Sequence, residues 1–232
     1  MDYTIKIGGE AGQGIQTIGD TLSRFFARKG YHVFTHQDYE SRVRGGHNFY
    51  QVRLSDKPLA TSRDKIDILI AFDTESIVRY ENTLTENGLI VYDPAILKTK
   101  YEKQNFFDIP FIDLSVEKSG NKIMANSVAI GSVTGIFRMK TDALFEIFKE
   151  AFMKKGEDVV QSNINAANAG YDFAVKNCTR CSFPAGGSGR SPLLLIAGNE
   201  AIGLGGKHLA TARVAVRVVG RRDDRAAPVF AA

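Results

Sequence analysis

The sequence predicts a layered α/β fold, and three features predict it. Apolar runs such as "DILIAF" (67–72) and "GLIVYDP" (88–94) are too short for core helices and solid enough for strands buried on both faces. Between such runs, apolar residues recur at helical spacing, as at Ile15, Ile18, Leu22, Phe25 and Phe26. Glycines and prolines punctuate the joints. Strands alternating with helices in this way give a three-layer α/β/α, Rossmann-like domain whose sheet is mostly parallel, with an antiparallel strand added.

Each element follows in order. Ile5 and Ile7 end a first buried strand, a glycine bend follows, and the helix from Ile15 stops at Gly30. "YHVFTHQ" (31–37) reads as a second strand. "NFYQVRLS" (48–55) alternates Tyr50, Val52 and Leu54 with Gln51, Arg53 and Ser55, the pattern of a half-exposed, antiparallel strand. After "DILIAF", Asp73 and Thr74 offer caps for a helix through "ESIVRYENTL". "FFDIPFID" (106–113) reads as another short strand. "NKIMANSVAIGSVTGIF" (121–137) is a helix of small and apolar residues, hence one buried over much of its surface. "TDALFEIFKEAFMKKG" (141–156) is amphipathic, with Thr141 as N-cap, Leu144, Phe145, Phe148 and Phe152 inward, and Gly156 as stop. "EDVVQSNINAANAGYDFAVKN" (157–177) closes the set as a long helix.

Composition bounds the function. A hydrophobic fraction of 44% over 232 residues suits a water-soluble core, and no apolar run approaches the ~20 residues that cross a bilayer. "MDYTIKI" lacks the layout of a signal peptide, which makes the cytoplasm the expected location. Cys178 and Cys181 fit a reducing compartment with no disulfide framework. The net charge of +4 resides in residues 206–232, which hold six Lys/Arg and two Asp/Glu, and the other 205 residues balance at 24 of each sign. That balance argues against a nucleic-acid partner. After Asn177 the stretch "CTRCSFPAGGSGRSP" has linker composition, "LLLIAGNEAIGLGG" starts a new strand and helix, and 17 of residues 206–232 are Ala, Val or Arg.

"IKIGGEAGQGIQTIG" carries the clearest chemical signal. Gly9, Gly12 and Gly14 let the backbone turn sharply and approach a ligand, and the start of the following helix offers unpaired N–H groups to an anion. The order Gly9-x-x-Gly12-x-Gly14 reverses the dinucleotide fingerprint G-x-G-x-x-G. Asp38 could serve as the ribose acid of that fingerprint, but Arg42 and Arg44 follow it directly and suit an anion better. The C-x-x-C pair Cys178/Cys181 has no second pair with which to form a zinc site. The histidines 32, 36, 47 and 208 lack metal-cluster spacing, although His36 and His47 lie near the anion loop, and no G-x-S-x-G elbow is present.

The segments "GGEAGQGIQTIG", "YESRVRGGHNFYQVRLSD", "DILIAFD", "GLIVYDP" and "ANSVAIG" together resemble the gamma subunit, or gamma domain, of the 2-oxoacid:ferredoxin oxidoreductases of the pyruvate, ketoisovalerate and 2-oxoglutarate type. "PLLLIAGNEAIGLGG" resembles the start of the alpha domain carrying the thiamine pyrimidine half-site, fused after gamma in one branch of that family. The resemblance implies a gamma domain over residues 1–176, a linker over 177–192, and a truncated or aberrant alpha start over 193–232. It implies a component of a complex that oxidatively decarboxylates a 2-oxoacid with coenzyme A, inactive alone. It further implies alpha and beta subunits and ferredoxin as partners, no membrane, and thiamine diphosphate and iron–sulfur clusters held by partner subunits. No catalytic or metal residue is expected in this chain. For coenzyme A the resemblance points to Gly9, Gly12, Gln13, Gly14, Arg42, Arg44, Gly45, Asn48 and Asn126. Two alternatives stand beside it: a stand-alone NAD- or FAD-binding oxidoreductase, and a purely structural assembly subunit.

Overall fold

The computed structural model describes residues 1–40, 46–185, 189–193, 195 and 200–201. Its sheet has six strands in the order β2-β3-β1-β4-β5-β6, namely β1 (Asp2–Glu10), β2 (His32–Tyr39), β3 (His47–Ser55), β4 (Ile66–Ala71), β5 (Leu84–Tyr92) and β6 (Phe106–Asp108). β3 runs antiparallel to both β1 and β2, while β1/β4, β4/β5 and β5/β6 are parallel. One reversed strand in an otherwise parallel sheet matches the expectation, and the reversed strand is the one whose sequence alternates.

The two faces of the sheet differ in what covers them. Ile5, Ile7, Val52, Leu54, Ile68, Ile70, Leu89 and Val91 share one core with the helices α1 (Ile15–Arg28), α5 (Ala125–Ile136), α6 (Asp142–Phe152) and α7 (Glu157–Asn177). The opposite face buries Ile66, Leu69, Ile90 and Tyr92 in a smaller core under α2 (Thr74–Tyr80) and α3 (Pro94–Leu97). The result is a three-layer arrangement with unequal outer layers.

Local chemistry accounts for most boundaries. The Asp73 side chain accepts the Ser76 N–H and caps α2, and Asp93 does the same for Ala95 at α3. α5 is buried along nearly its whole length and packs on α7 through small residues. A Cβ on Gly131 would meet the Ala167 carbonyl, with its carbon only 2.6 Å away, and one on Gly170 would lie 2.9 Å from the Val128 carbonyl carbon. Across the same interface Ser127 Oγ donates to Asn163 Oδ1 at 2.6 Å, a buried bond that pins the helix register. Thr141 occupies the N-cap of α6 as expected, but its side chain makes no capping bond.

Two expectations need correction. The strand expected over 106–113 ends at Asp108, and α4 (Phe111–Ser119) starts directly after Pro110. Ile109, Phe111 and Leu114 pack into the core there, so the apolar run that reads as a strand serves a helix start instead. Cys178 and Cys181 are joined in a disulfide, Cα to Cα 5.4 Å, at the end of α7. This local ring is no framework, but the thiols are paired. No helix among the described residues is long and apolar enough to cross a membrane.

Ion pairs fasten β1 to β3 and α1 to α6, and they set an acid limit on stability. Arg53 grips Asp2 with Nε at 2.9 Å and Nη2 at 2.6 Å, and Lys29 Nζ lies 2.9 Å from Asp142. The hydrogen bond from Arg53 chiefly holds the Asp2 carboxyl below its ordinary 3.8, and Lys29 does the same for Asp142. Groups with depressed folded values contribute stability that is complete above 3.8 and fades as pH falls through the lower folded values. The melting temperature is therefore expected to stay level between about pH 5 and 7 and to decline below about pH 4. In Asp2→Asn the decline should be shallower, as followed by circular dichroism.

Candidate functional site

β1 is the point where the chain reverses its winding. From β1 it passes through α1 to β2 on one side, and after β3 it crosses to β4 on the other. A crevice outside the carboxyl end of such a strand is where open α/β sheets bind ligands. Here that end carries the glycine bend. Gly12 and Gly14 hold φ of +90° and +78°, in the left-handed region, and Gly14 is the N-cap of α1. The first turn of α1 has no side-chain cap and no acidic residue, which leaves its leading N–H groups and positive dipole end suited to an anion.

A cleft of about 340 Å³ opens against this bend. Gly12, Gly14, Ile15, Gln16 and Thr17 form one wall, and Gln37, Tyr39, Asn48, Phe49 and Tyr50 of the β2–β3 hairpin form the other. Gly19 lets α1 lie directly on the Tyr50 ring, since a Cβ there would collide with it. Tyr50 OH donates to Asp20 Oδ1 at 2.8 Å, and burial followed by the Asp20 charge pushes the phenol far above its usual range. Tyr50 is thus a neutral donor, already engaged. Burial also raises Asp20, against the opposing hydrogen bond from Tyr50.

Of the side chains expected to touch a ligand, Gln13 and Asn126 also hold the shape of the bend. Gln13 Oε1 accepts the Glu10 N–H at 2.7 Å, and Gln13 Nε2 donates to the Phe72 carbonyl at 3.2 Å, tying the bend to the end of β4. Gly9 leaves the room for this, because a Cβ there would strike Gln13 Oε1 and come within 2.9 Å of Phe72 Cβ. Asn126, on the first turn of α5, donates Nδ2 to the Gln13 carbonyl at 3.2 Å, and its Cγ would lie 3.2 Å from a Cβ on Gly14. Asn48 lines the cleft while its Oδ1 accepts the Glu40 N–H at 3.1 Å. Gly9, Gly12, Gln13, Gly14 and Asn126 therefore converge on one turn, with Asn48 across the cleft. Arg42, Arg44 and Gly45 lie outside the described residues.

Two findings bear on what the cleft can hold. Its described lining includes one carboxylate, Glu10, and no cation, so among the described residues positive charge comes from the helix end. Asp38 does not reach it. β-strand alternation sends Gln37 and Tyr39 to the glycine cleft and Asp38 to a second cleft on the far face of the hairpin. The acidic residue that a ribose diol would need is therefore on the wrong side of the sheet.

That second cleft, about 380 Å³, contains a cluster the sequence reading missed. Lys6 Nζ sits 4.2 Å from the centre of the Phe49 ring and 4.1 Å from that of Tyr80. His47 Nε2 lies 3.0 Å from Tyr80 OH, and its Nδ1 faces Asp73 Oδ2 at 3.9 Å, too far for a hydrogen bond. Burial pushes the Asp73 carboxyl up, but His47 and the Ser76 hydroxyl and amide outweigh it and leave the carboxyl below 3.8. The group braces α2 against β1 and β3. Its signals in the sequence are a lysine inside the apolar run "TIKIGG" and His47, noted only for lying near the anion loop.

The family model described as pyruvate ferredoxin/flavodoxin oxidoreductase matches residues 4–173. The alpha subunit of a 2-oxoacid:ferredoxin oxidoreductase from Sulfolobus sp is 31% identical over 102 residues, which are 44% of this chain and 16% of that protein. Among solved structures, the 2-oxoglutarate:ferredoxin oxidoreductase of Magnetococcus marinus, with 2-oxoglutarate, coenzyme A and succinyl-CoA bound, aligns at a TM-score of 0.73 and 27% identity, covering 89% of this chain and 37% of that one. The gamma subunit of a keto/oxoacid ferredoxin oxidoreductase from Geobacter sulfurreducens aligns at 0.63 and 26% identity, covering 75% of this chain and 97% of that one. The chain thus spans a minor part of the longer relatives and nearly the whole of a gamma subunit.

Proposed function

The chain belongs to the pyruvate ferredoxin/flavodoxin oxidoreductase family, and we propose that it serves there as a gamma-domain component that holds coenzyme A at the glycine bend and packs against the catalytic subunits. Residues 1–176 form that domain in this reading, 177–192 the linker, and 193–232 the start of an alpha domain. The complex would convert a 2-oxoacid and coenzyme A into acyl-CoA and carbon dioxide, passing two electrons to ferredoxin. The single observation that carries the reading is the uncapped start of α1 behind two left-handed glycines, at the switch point of the sheet.

The cysteines do not fit an iron–sulfur cluster. A cubane cluster takes about four cysteine thiolates; this chain has two, joined to each other. No group of three or more metal-ligating side chains occurs among the described residues. In this reading thiamine diphosphate and the clusters are held by partner subunits, where they would supply carbanion stabilisation and electron transfer. The work left to this chain is to bind and orient: the first-turn N–H groups of α1 receive a phosphate oxygen, Arg44 adds a guanidinium fork, and the Tyr50 wall shapes the slot.

A dinucleotide reading is disfavoured by the position of Asp38. Calorimetric titration of the protein with coenzyme A, NADH and FAD separates the possibilities. Saturable coenzyme A binding is expected, and Arg44→Ala should weaken it roughly 10–100-fold, the value of a charge-assisted hydrogen bond. Tight NADH or FAD binding overturns the assignment. Partner-subunit binding with no affinity for any of the three ligands supports a structural role instead.

A further inference from the structure

At the end of α7 the chain turns back along the domain as a strap. Cys178 forms the C-cap of α7 and is buried, and its N–H bonds the Ala174 carbonyl at 3.0 Å. Phe183 inserts edge-on against Tyr3 (5.7 Å between centroids) and packs on Phe137 (5.8 Å), burying all but 6% of its surface. Farther on, the Leu193 N–H donates to the Ala27 carbonyl at 2.8 Å at the end of α1. The disulfide closes at the root of this strap.

We propose that Cys178–Cys181 is a reversible dithiol/disulfide site, reduced by a dithiol through Cys181, and that its state fastens or releases the strap carrying Phe183. Three observations converge. The two sulfurs differ in access: Cys178 is buried, while Cys181 is half-buried and lines a cleft of about 400 Å³ formed by Ile136, Phe137, Arg138, Ser182, Phe183 and Pro184. Cys181 is therefore the more accessible of the two to an incoming thiolate. Basic residues lie nearby in the chain and the cleft, with Arg138 in the cleft wall, Arg180 inside the ring with its guanidinium donating to the Gln104 carbonyl, and Lys176 in the last turn of α7. Such charges draw in and stabilise a thiolate. The ring is also minimal. A cross-link between residues three apart constrains the unfolded chain less than a long-range one, so stabilisation is the weaker reason for it and exchange chemistry the stronger.

The exchange balances. The thiolate of the dithiol attacks Cys181 Sγ, the Sγ–Sγ bond breaks, and Cys178 leaves as a thiolate that takes up a proton. The second thiol of the reductant then resolves the mixed disulfide. The protein gains two electrons and two protons, and the reductant leaves as its own disulfide. A dithiol-class oxidant reverses both steps.

The test uses the full chain, which has no other cysteines. Air-equilibrated protein should incorporate no N-ethylmaleimide, and protein treated with dithiothreitol under native conditions should incorporate two equivalents, by intact mass. Tryptic cleavage after Arg180, read after full reduction of the digest, should accelerate roughly ten-fold or more on reduction, because cleavage follows the population of the opened strap. Cys181→Ser should cleave at the reduced rate whatever the redox buffer, and Cys178→Ser serves if that variant does not fold. Labelling of both thiols in air, a disulfide-linked dimer, resistance to native reduction, or equal cleavage rates in the two states each overturn the proposal.

Discussion

Gly131→Ala is expected to lower the melting temperature by about 6–12 °C. α5 and α7 meet where neither helix has side-chain volume to give. The added methyl would lie inside contact distance of the Ala167 carbonyl, 2.6 Å from its carbon, and the obstacle is backbone that cannot change rotamer. Relief requires α5 to retreat from α7, which would stretch the buried Ser127–Asn163 bond and loosen the packing around Ala166 and Ala167. Overpacking of this kind costs up to about 3 kcal/mol. In a domain of this size each kcal/mol shifts the midpoint by about 2–4 °C. Gly120→Ala is the control for backbone effects alone, since Gly120 is left-handed (φ +68°) with nothing within 4 Å of a Cβ. Scanning calorimetry should rank Gly131→Ala well below Gly120→Ala. Equal midpoints would mean that the two helices are not closely seated at Gly131.

Much of this architecture was legible in the sequence because the deciding signals are local. "EDVVQSNINAANAGYDFAVKN" coincides with α7, and the alternation of "NFYQVRLS" identified the reversed strand. Failures came where a local pattern has two solutions or where a partner is distant. "FFDIPFID" is an apolar run with a central proline, and proline serves a strand edge as well as a helix start; the core contacts of Phe111 decided for the helix. Gln13 reads as a free amide in an exposed loop, yet its partner is the Phe72 carbonyl, 59 residues on. The face on which Asp38 emerges depends on strand register, which one residue of slip would reverse. The glycine bend itself was visible as a pattern; that its side chains are spent on holding its shape was not.

That division of labour makes Gly14→Ala the sharpest test of the bend. Two separate penalties meet at this position. Alanine at φ +78° costs roughly 1–2 kcal/mol, and its methyl would collide with Asn126 Nδ2, displacing the amide that bonds the Gln13 carbonyl. The bend should shift and the first-turn N–H groups of α1 turn away from the cleft, so coenzyme A affinity is expected to fall at least ~100-fold, since backbone donors cannot be restored by a neighbour. The double variant with Asn126→Ala separates the two penalties. It removes the collision and should recover part of the lost melting temperature, while affinity stays low because the left-handed strain and the missing bond to Gln13 persist. Gly12→Ala is the companion: Gly12 has φ +90° with open space around a Cβ, so backbone strain is the sole penalty there and a smaller loss should follow. Unchanged coenzyme A affinity in a folded Gly14→Ala protein would place the ligand elsewhere and leave the bend as a packing device between β1 and α5.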